Sequence, residues 1–271
     1  MSFYTSLSGI NTMQTDLDVI GNNLANAQTS GFKSSTCTFA DVIASSILTD
    51  PSLTTGLGAR TSSIKQQFSL GSVNQTGNSL DMMINGAGFY LTKNPTSNQN
   101  IYTRAGSFSL DSSGYIKDNN GDRLQVFPVD PTTGAVTSTT STSDVQVPSA
   151  NSSGSAYSGV TVSNTGLITV SFADGTTQNL GAVALANFTN PTGLKQLGSA
   201  TWTQTGVSGT ATLGQANSGG FGALLSGSLE GSNVDVTTQL VNMIAAQQDY
   251  QANSKAISTQ NQLMTNILQM Q

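Results

Sequence analysis

Apolar residues recur every three or four positions near the N-terminus of the chain. They are Phe3, Leu7, Ile10, Met13, Leu17, Ile20 and Leu24. This spacing places one apolar stripe along a helix and is the heptad pattern of a seam that packs against another helix. The pattern therefore predicts an amphipathic helix over residues 1–27.

The C-terminal end of the chain repeats the same period. Its apolar positions are Val236, Leu240, Met243, Tyr250, Ile257, Met264 and Leu268. Polar Gln247, Ser254 and Asn261 occupy the seam positions between them. The pattern predicts a second amphipathic helix over 236–271. The two stripes have three possible partners: each other, neighbouring copies of the chain, or both.

Between the predicted helices, short alternating runs are separated by turn residues. Asn85-Gly86 and Asp174-Gly175 are examples of turn pairs that join strands. We expect an α+β fold, in which terminal α-helices form a coiled-coil-like inner domain and mid-chain residues form a mainly antiparallel β-domain. The expected divisions of the middle of the chain are a connecting arm at 28–75 and 230–235, a β-rich outer domain at 76–131 and 159–229, and a Ser/Thr-rich linker at 132–158.

The low charge content of the chain indicates which kinds of partner it disfavours and which it favours. Only 8% of the 271 residues are charged and the net charge is −5, against about 25% charged residues in typical soluble domains. Because no basic patch could neutralise phosphates, we expect no nucleic-acid partner. Apolar stretches are too short to cross a bilayer, so no membrane insertion is expected. Neutral polar surfaces repel copies of themselves weakly, which favours close packing of many subunits.

Residues that carry chemistry are scarce. The chain has no histidine, a single cysteine, Cys37, and a single glutamate, Glu230. The usual general base and the commonest zinc ligand are therefore missing. Residues 111–122 hold three aspartates near glycines, but their spacing does not match a calcium loop, and we interpret them as a hairpin turn. We predict no enzyme activity, no catalytic or metal site and no cofactor.

Two ordered motifs at opposite ends of the chain resemble a known family. Residues 17–26, followed by 30–33, are similar to the N-terminal signature of bacterial flagellar rod and hook proteins. Residues 229–235 and 240–244 are similar to the matching C-terminal signature, and 81–89 and 102–108 to the start of the family's β-domain. The signature residues in this chain are Asn22, Asn23, Asn26, Gly31, Phe32, Glu230, Asn233 and Val234.

The resemblance implies a homopolymer: many copies in a helical tube whose terminal helices line an export channel. The subunit-interface positions would be Leu7, Ile10, Met13, Leu17, Ile20, Leu24, Leu240, Met243, Tyr250, Ile257, Met264 and Leu268. The implied partners are flagellar rod and hook–filament junction proteins, the hook cap and the export apparatus. The implied location is the flagellar basal body and hook, outside the cell. Type III export would need no cleaved signal peptide, and the first ten residues lack the pattern of one.

The sequence leaves two kinds of family member in view, the hook protein and a rod protein. Residues 1–3, 39–41 and 180–190 are most similar to the hook protein, a universal joint that transmits torque. The chain lacks the additional outer domain that hook proteins usually carry, and its length is closer to that of the rod proteins. We predict a short hook protein, with a distal or proximal rod protein, part of a rigid drive shaft, as the alternative. In the arm, Ile47, Leu48 and Leu53 are predicted to make axial contacts.

Overall fold

The computed structural model describes residues 3–43 and 56–269. One α-helix lies near each end, α1 over Phe3–Ala25 and α2 over Val236–Gln269, and the rest is mainly strands. The strands are β1 Ser35–Ile43, β2 Gly56–Gln66, β3 Val73–Gln75, β4 Met82–Asn85, β5 Phe89–Lys93, β6 Asn100–Thr103, β7 Ser109–Leu110, β8 Ile116–Lys117, β9 Arg123–Phe127, β10 Ser143–Asp144, β11 Tyr157–Val162, β12 Leu167–Phe172, β13 Thr177–Asn187, β14 Lys195–Gly198, β15 Thr201–Thr203, β16 Thr212–Gln215, β17 Ala223–Ser226 and β18 Ser228–Glu230. Every strand pairing among the described residues is antiparallel, so the predicted α+β class is confirmed.

The described residues group into two compact units. Unit 1 contains residues 3–27, 34–43, 56–67 and 234–269, and unit 2 contains residues 28–33 and 68–233. The chain therefore passes between the units four times. The predicted arm 28–75 is divided between them, and the predicted linker 132–158 belongs to unit 2.

Unit 1 combines the two helices with the β1–β2 hairpin. Asp235 begins α2, because its carboxylate accepts hydrogen bonds from the Thr237 backbone N–H at 3.0 Å and the Thr238 hydroxyl at 2.6 Å. The Thr237 N–H is a backbone donor that the first helical turn would leave unpaired. The bonds from Thr238 and Thr237 together lower the pKa of Asp235. At the other helix, Asn26 ends α1 by donating its backbone N–H to the carbonyls of Asn22 and Asn23.

Unit 2 is built on a large antiparallel sheet. Along its main path the strands run β11-β12-β13-β9-β5-β6-β15-β14. The central strand β13 presents Val183 and Leu185 to one buried cluster, and Ala184 and Ala186 to another. Since successive side chains of a strand point to opposite faces, the sheet lies between two cores.

The second of these clusters is aromatic. Trp202 is fully buried, with its ring 5.6 Å from those of Phe68 and Phe89 in edge-on arrangements. Edge-to-face aromatic pairs contribute stabilising free energy in addition to that of the apolar area that they bury. The residues 132–158 also reach a core, since Val145 and Val147 are buried in the first cluster and β10 pairs with β9.

Candidate functional site: the helix pair and the signature residues

The two helices of unit 1 pack against each other in antiparallel directions. Asn23 near the end of α1 donates its side-chain amide to Gln239 near the start of α2, at 3.4 Å. Gly9 lies against Asn253, where a β-carbon on residue 9 would be 2.8 Å from the Asn253 Oδ1. In this register the start of α1 lies opposite about residue 259, as the 1.5 Å rise per residue implies for both helices. The final turns of α2 therefore extend beyond α1.

The α2 side of the seam is made largely of small and polar side chains. Ala246 is the only buried residue among those described in α2. Gln239, Asn253 and Gln260, each seven or fourteen positions away from Ala246, are half-buried. The apolar stripe was predicted to pack against another helix, of this chain or of a neighbouring copy. Within this chain, a neighbouring stripe of amides and alanine shares the seam. Small residues allow the two helix backbones to approach closely.

The structure divides the predicted interface residues into three groups. Ile20 is buried in unit 1. Half-buried positions are Ile10, Met13, Leu17, Leu24, Met243 and Ile257. Exposed positions are Leu7, Leu240, Tyr250, Met264 and Leu268. The stripes thus pack partly on each other within one chain, and part of their apolar surface remains exposed.

An exposed apolar surface lies on the last turns of α2. A groove of about 660 Å³ runs along Ala252, Ala256, Leu263, Met264 and Ile267. Leu263, Met264 and Ile267 expose 58, 61 and 59% of their surface. Monomeric soluble proteins rarely leave contiguous apolar patches of this kind uncovered, so the groove, which we call the α2 groove, is a candidate assembly surface.

Among the signature residues, Asn23 connects α1 to the hairpin of unit 1. Its amide donates to the Ser35 carbonyl at 2.7 Å, and its Oδ1 accepts from the Ser35 backbone N–H at 2.9 Å. The residue is 1% exposed. An asparagine amide can both donate and accept in this way, as a neighbouring strand would. Asn23 therefore sets where β1 begins.

Gly31 and Phe32 hold the start of unit 2 against its sheet. Gly31 has a φ of 71°, and a β-carbon on it would lie 2.5 Å from the backbone nitrogen of Ala105. Its N–H donates to the carbonyl of Glu230 at 2.8 Å, and the neighbouring Phe32 is buried. Only glycine fits so close an approach combined with positive φ.

Glu230 lies at a buried group of charges in unit 2. Its Oε1 accepts from Lys33 Nζ at 2.6 Å, and its Oε2 accepts from Arg104 Nη1 at 3.4 Å. Burial lowers the pKa of Lys33 and of Arg104, and the Glu230 carboxylate opposes both shifts. Sequence reasoning singled out Glu230 but missed its two cationic partners. The available signal was that Lys33 and Arg104 are the only basic residues of the three motifs and Glu230 is their only glutamate.

The remaining predicted positions have simpler surroundings. The Asn26 amide donates to the Asn22 carbonyl at 2.9 Å, and Asn22 itself is exposed. In unit 2 the Asn233 amide donates to Ser69 Oγ at 3.0 Å, while Val234 in unit 1 is half-buried. The predicted axial contacts Ile47, Leu48 and Leu53 lie outside the described residues.

Metal-ligand clusters and membrane-spanning helices are both absent from the part of the chain that the structure describes. Within residues 3–43 and 56–269, no three His, Cys, Asp or Glu residues come together as metal ligands would. Neither described helix has a stretch long and apolar enough to span a bilayer. Cys37 is half-buried in the β1 strand, and burial raises the pKa of its thiol.

Comparison with known proteins finds relatives that align along nearly the whole chain. Three family models match: flagella basal body rod protein over residues 3–33, flagellar hook protein FlgE/F/G D1 domain over 83–170, and flagellar basal body rod FlgEFG protein C-terminal over 225–270. The flagellar basal-body rod protein FlgG of Bacillus subtilis (strain 168) is 34% identical over 99% of this chain and 98% of that protein. The chain belongs to the FlgE/FlgF/FlgG family of flagellar rod and hook proteins. This family is a structural component of the flagellum.

Two further relatives show how similarity is distributed within the family. The FlgG rod protein of Buchnera aphidicola subsp. Acyrthosiphon pisum is 34% identical over 99% of each chain. The hook protein FlgE of Escherichia coli (strain K12) is 28% identical over all of both chains, in an alignment of 410 positions. Because this chain has 271 residues, that alignment leaves about 140 positions without a counterpart here. The rod relatives match without such a gap.

Proposed function

We propose that this protein is a subunit of the flagellar rod, the drive shaft of the basal body, and that it assembles with copies of itself. The observation that carries the proposal is the near end-to-end alignment with FlgG rod proteins, at higher identity than with the hook proteins. The short-hook prediction remains the second candidate. It is supported by hook relatives that align over the whole of this chain.

The described surface of unit 1 is consistent with self-assembly. One helix pair leaves the α2 groove and the apolar residues Val241 and Ile244 exposed. A second copy would cover these residues and gain the free energy of removing apolar surface from water. Few charged residues oppose such contacts. We propose no catalytic role, and we propose passage through the flagellar export apparatus to the basal body.

Deletion of the gene tests rod against hook. We expect basal bodies from the deletion strain, viewed by electron microscopy, to carry a truncated rod. Intact rods and rings without a hook would support the second candidate instead, and normal flagella would overturn both.

Complementation of that strain tests the α2 groove. Leu263→Asp with Ile267→Asp places two charges on the groove, so we expect the truncated rod to persist and purified protein to remain monomeric. The matched control is Gln262→Asp with Asn266→Asp, which adds the same charge on the same turns outside the groove lining. Full rods from the groove variant would contradict its role in assembly.

A further inference from the structure

The carboxylate of Glu230 joins distant parts of unit 2. Its Oε1 accepts from Lys33 Nζ at 2.6 Å and from the Gly71 backbone N–H at 3.1 Å, and its Oε2 accepts from Arg104 Nη1 at 3.4 Å. These partners lie between 126 and 197 positions from Glu230 along the chain. Both carboxylate oxygens therefore hold together segments that are far apart along the chain.

The group is withdrawn from water. The side chains of Lys33 and Glu230 are 0% exposed and that of Arg104 is 4% exposed. Burying a charge is costly unless an opposite charge and hydrogen bonds compensate it. Removing the single carboxylate would leave two buried cations facing each other. The arrangement is therefore stable only while the segments that carry Lys33, Arg104 and Glu230 are all in place.

These contacts lie where the chain enters and leaves unit 2. The chain crosses after residues 27, 33, 67 and 233. Lys33 is the last residue before the crossing at 33. Its Nζ also donates, at 2.7 Å, to the carbonyl of Ser69, which lies two residues after the crossing at 67. The Asn233 amide, at a third crossing, donates to Ser69 Oγ at 3.0 Å. In the short segment 28–33, which joins the crossings after residues 27 and 33, the Gly31 N–H donates to the Glu230 carbonyl at 2.8 Å.

We propose that Lys33, Arg104 and Glu230 form a charged clamp that fixes all four chain connections of unit 2 as one cooperative base, with Glu230 as its positioning residue. Force transmitted along the chain then reaches the sheet through all four connections at once. No single connection separates from unit 2 before the others. The mechanical part rests on the proposed function as a rod subunit, whereas the cooperative base does not.

An ionic group suits this role better than an apolar cluster of equal size. Apolar contacts are not directional, so they tolerate a sliding segment. Hydrogen bonds to a carboxylate have defined lengths and directions, and charge-assisted bonds are the stronger ones. Close backbone approaches add to the constraint, since a β-carbon on Gly71 would lie 2.0 Å from the Gly231 carbonyl oxygen.

Native-state hydrogen exchange of the wild-type chain tests the cooperative base. The Gly31, Gly71 and Gly231 amides, each hydrogen-bonded at the clamp, should open in one event, with equal protection and equal dependence on denaturant. Protection that differs more than ten-fold among the three amides would overturn the cooperative base.

Substitutions then test the charges. In Glu230→Gln we expect exchange of the three glycine amides to accelerate at least ten-fold. The amide of Val183 in β13, which donates to the Gly166 carbonyl, should exchange at an unchanged rate. Because Lys33→Met removes one of the uncompensated cations, its combination with Glu230→Gln should accelerate exchange less than the product of the two single effects. Equal acceleration of all amides, Val183 included, would reduce Glu230 to a general stability role and overturn the proposal.

The control is an exposed ion pair of the same unit. Arg123 and Asp144 are 2.9 Å apart with side chains 32 and 31% exposed. Asp144→Asn should leave the three glycine amides unchanged, because exposed pairs contribute little. In assembled rods, Glu230→Gln should increase twisting under load, while unchanged twisting would overturn the mechanical part. Failure of the wild-type chain to assemble would refute the proposed function, and the exchange rates alone would then decide whether the cooperative base exists.

Discussion

At the scale of single residues, two neighbouring asparagines of the signature have different surroundings. Asn23 is buried and holds both backbone groups of Ser35, whereas Asn22 is exposed. Sequence reasoning predicted both as signature residues and could not separate them. The difference arises from the hairpin of unit 1, which covers one amide and leaves the other in water.

Substituting each asparagine by aspartate tests this difference. Asn23→Asp removes the donor to the Ser35 carbonyl and buries a charge, so we expect a loss of about 2 kcal/mol or more in the stability of unit 1. Asn22→Asp is the matched control and should change stability by less than about 0.5 kcal/mol. Far-ultraviolet circular dichroism during urea unfolding measures both. Equal effects would mean that the Asn23 bonds contribute nothing specific.

A second residue-scale prediction concerns the Asp174 turn. The Thr176 hydroxyl donates to the Asp174 carboxylate at 2.6 Å and its backbone N–H at 2.9 Å, which lowers the pKa of Asp174 to about 2. A carboxylate whose folded pKa is depressed contributes stability above its ordinary pKa of 3.8, and this contribution is lost as pH falls towards about 2. Thr176→Val should therefore raise the Asp174 pKa.

Nuclear magnetic resonance titration of the Asp174 carboxyl measures that pKa directly. Asp130, whose own pKa is lowered by the Thr132 backbone N–H, serves as an internal control and should titrate identically in both proteins. An Asp174 titration curve that Thr176→Val does not move would show that the hydroxyl has no such effect.

At the scale of elements, the periodicity of α2 located the helix but not the face that it buries. The apolar stripe was predicted to pack on another helix, of this chain or of a neighbouring copy. In the seam with α1, the structure places Ala246 and half-buried amides beside Met243 and Ile257. Periodicity identifies stripes that avoid water. Which stripe meets the partner helix depends on how closely the backbones approach, and small side chains decide that.

Enlarging Ala246 tests the seam. Ala246→Leu overfills a closely packed contact with α1, so we expect a loss of about 1–3 kcal/mol in the stability of unit 1. Ala245→Leu is the control, because the adjacent residue is exposed and the substitution changes helix propensity by the same amount. Urea unfolding followed by circular dichroism compares them. A tolerated Ala246→Leu would place the seam elsewhere on α2.

At the scale of the whole molecule, both hydrophobic cores of the β-region lie inside unit 2. Unit 2 should therefore fold without the terminal helices. We expect a fragment of residues 28–233 to keep Trp202, the single tryptophan, in a buried environment. Its urea midpoint by tryptophan fluorescence should lie close to that of the full chain. Solvent-exposed emission from the fragment would show that the helices are needed for the β-fold.

Local patterns determined the two helices, the antiparallel β-region and the family, because heptad spacing, strand alternation and ordered motifs depend on residues close together in sequence. They could not show that Lys33, Arg104 and Glu230 meet, since those residues are brought together only by the path of the chain through unit 2. Tertiary structure also decided which apolar stripe stays exposed as the α2 groove. Burial and charge pairing depend on distant segments, and a one-dimensional pattern contains no distances between them.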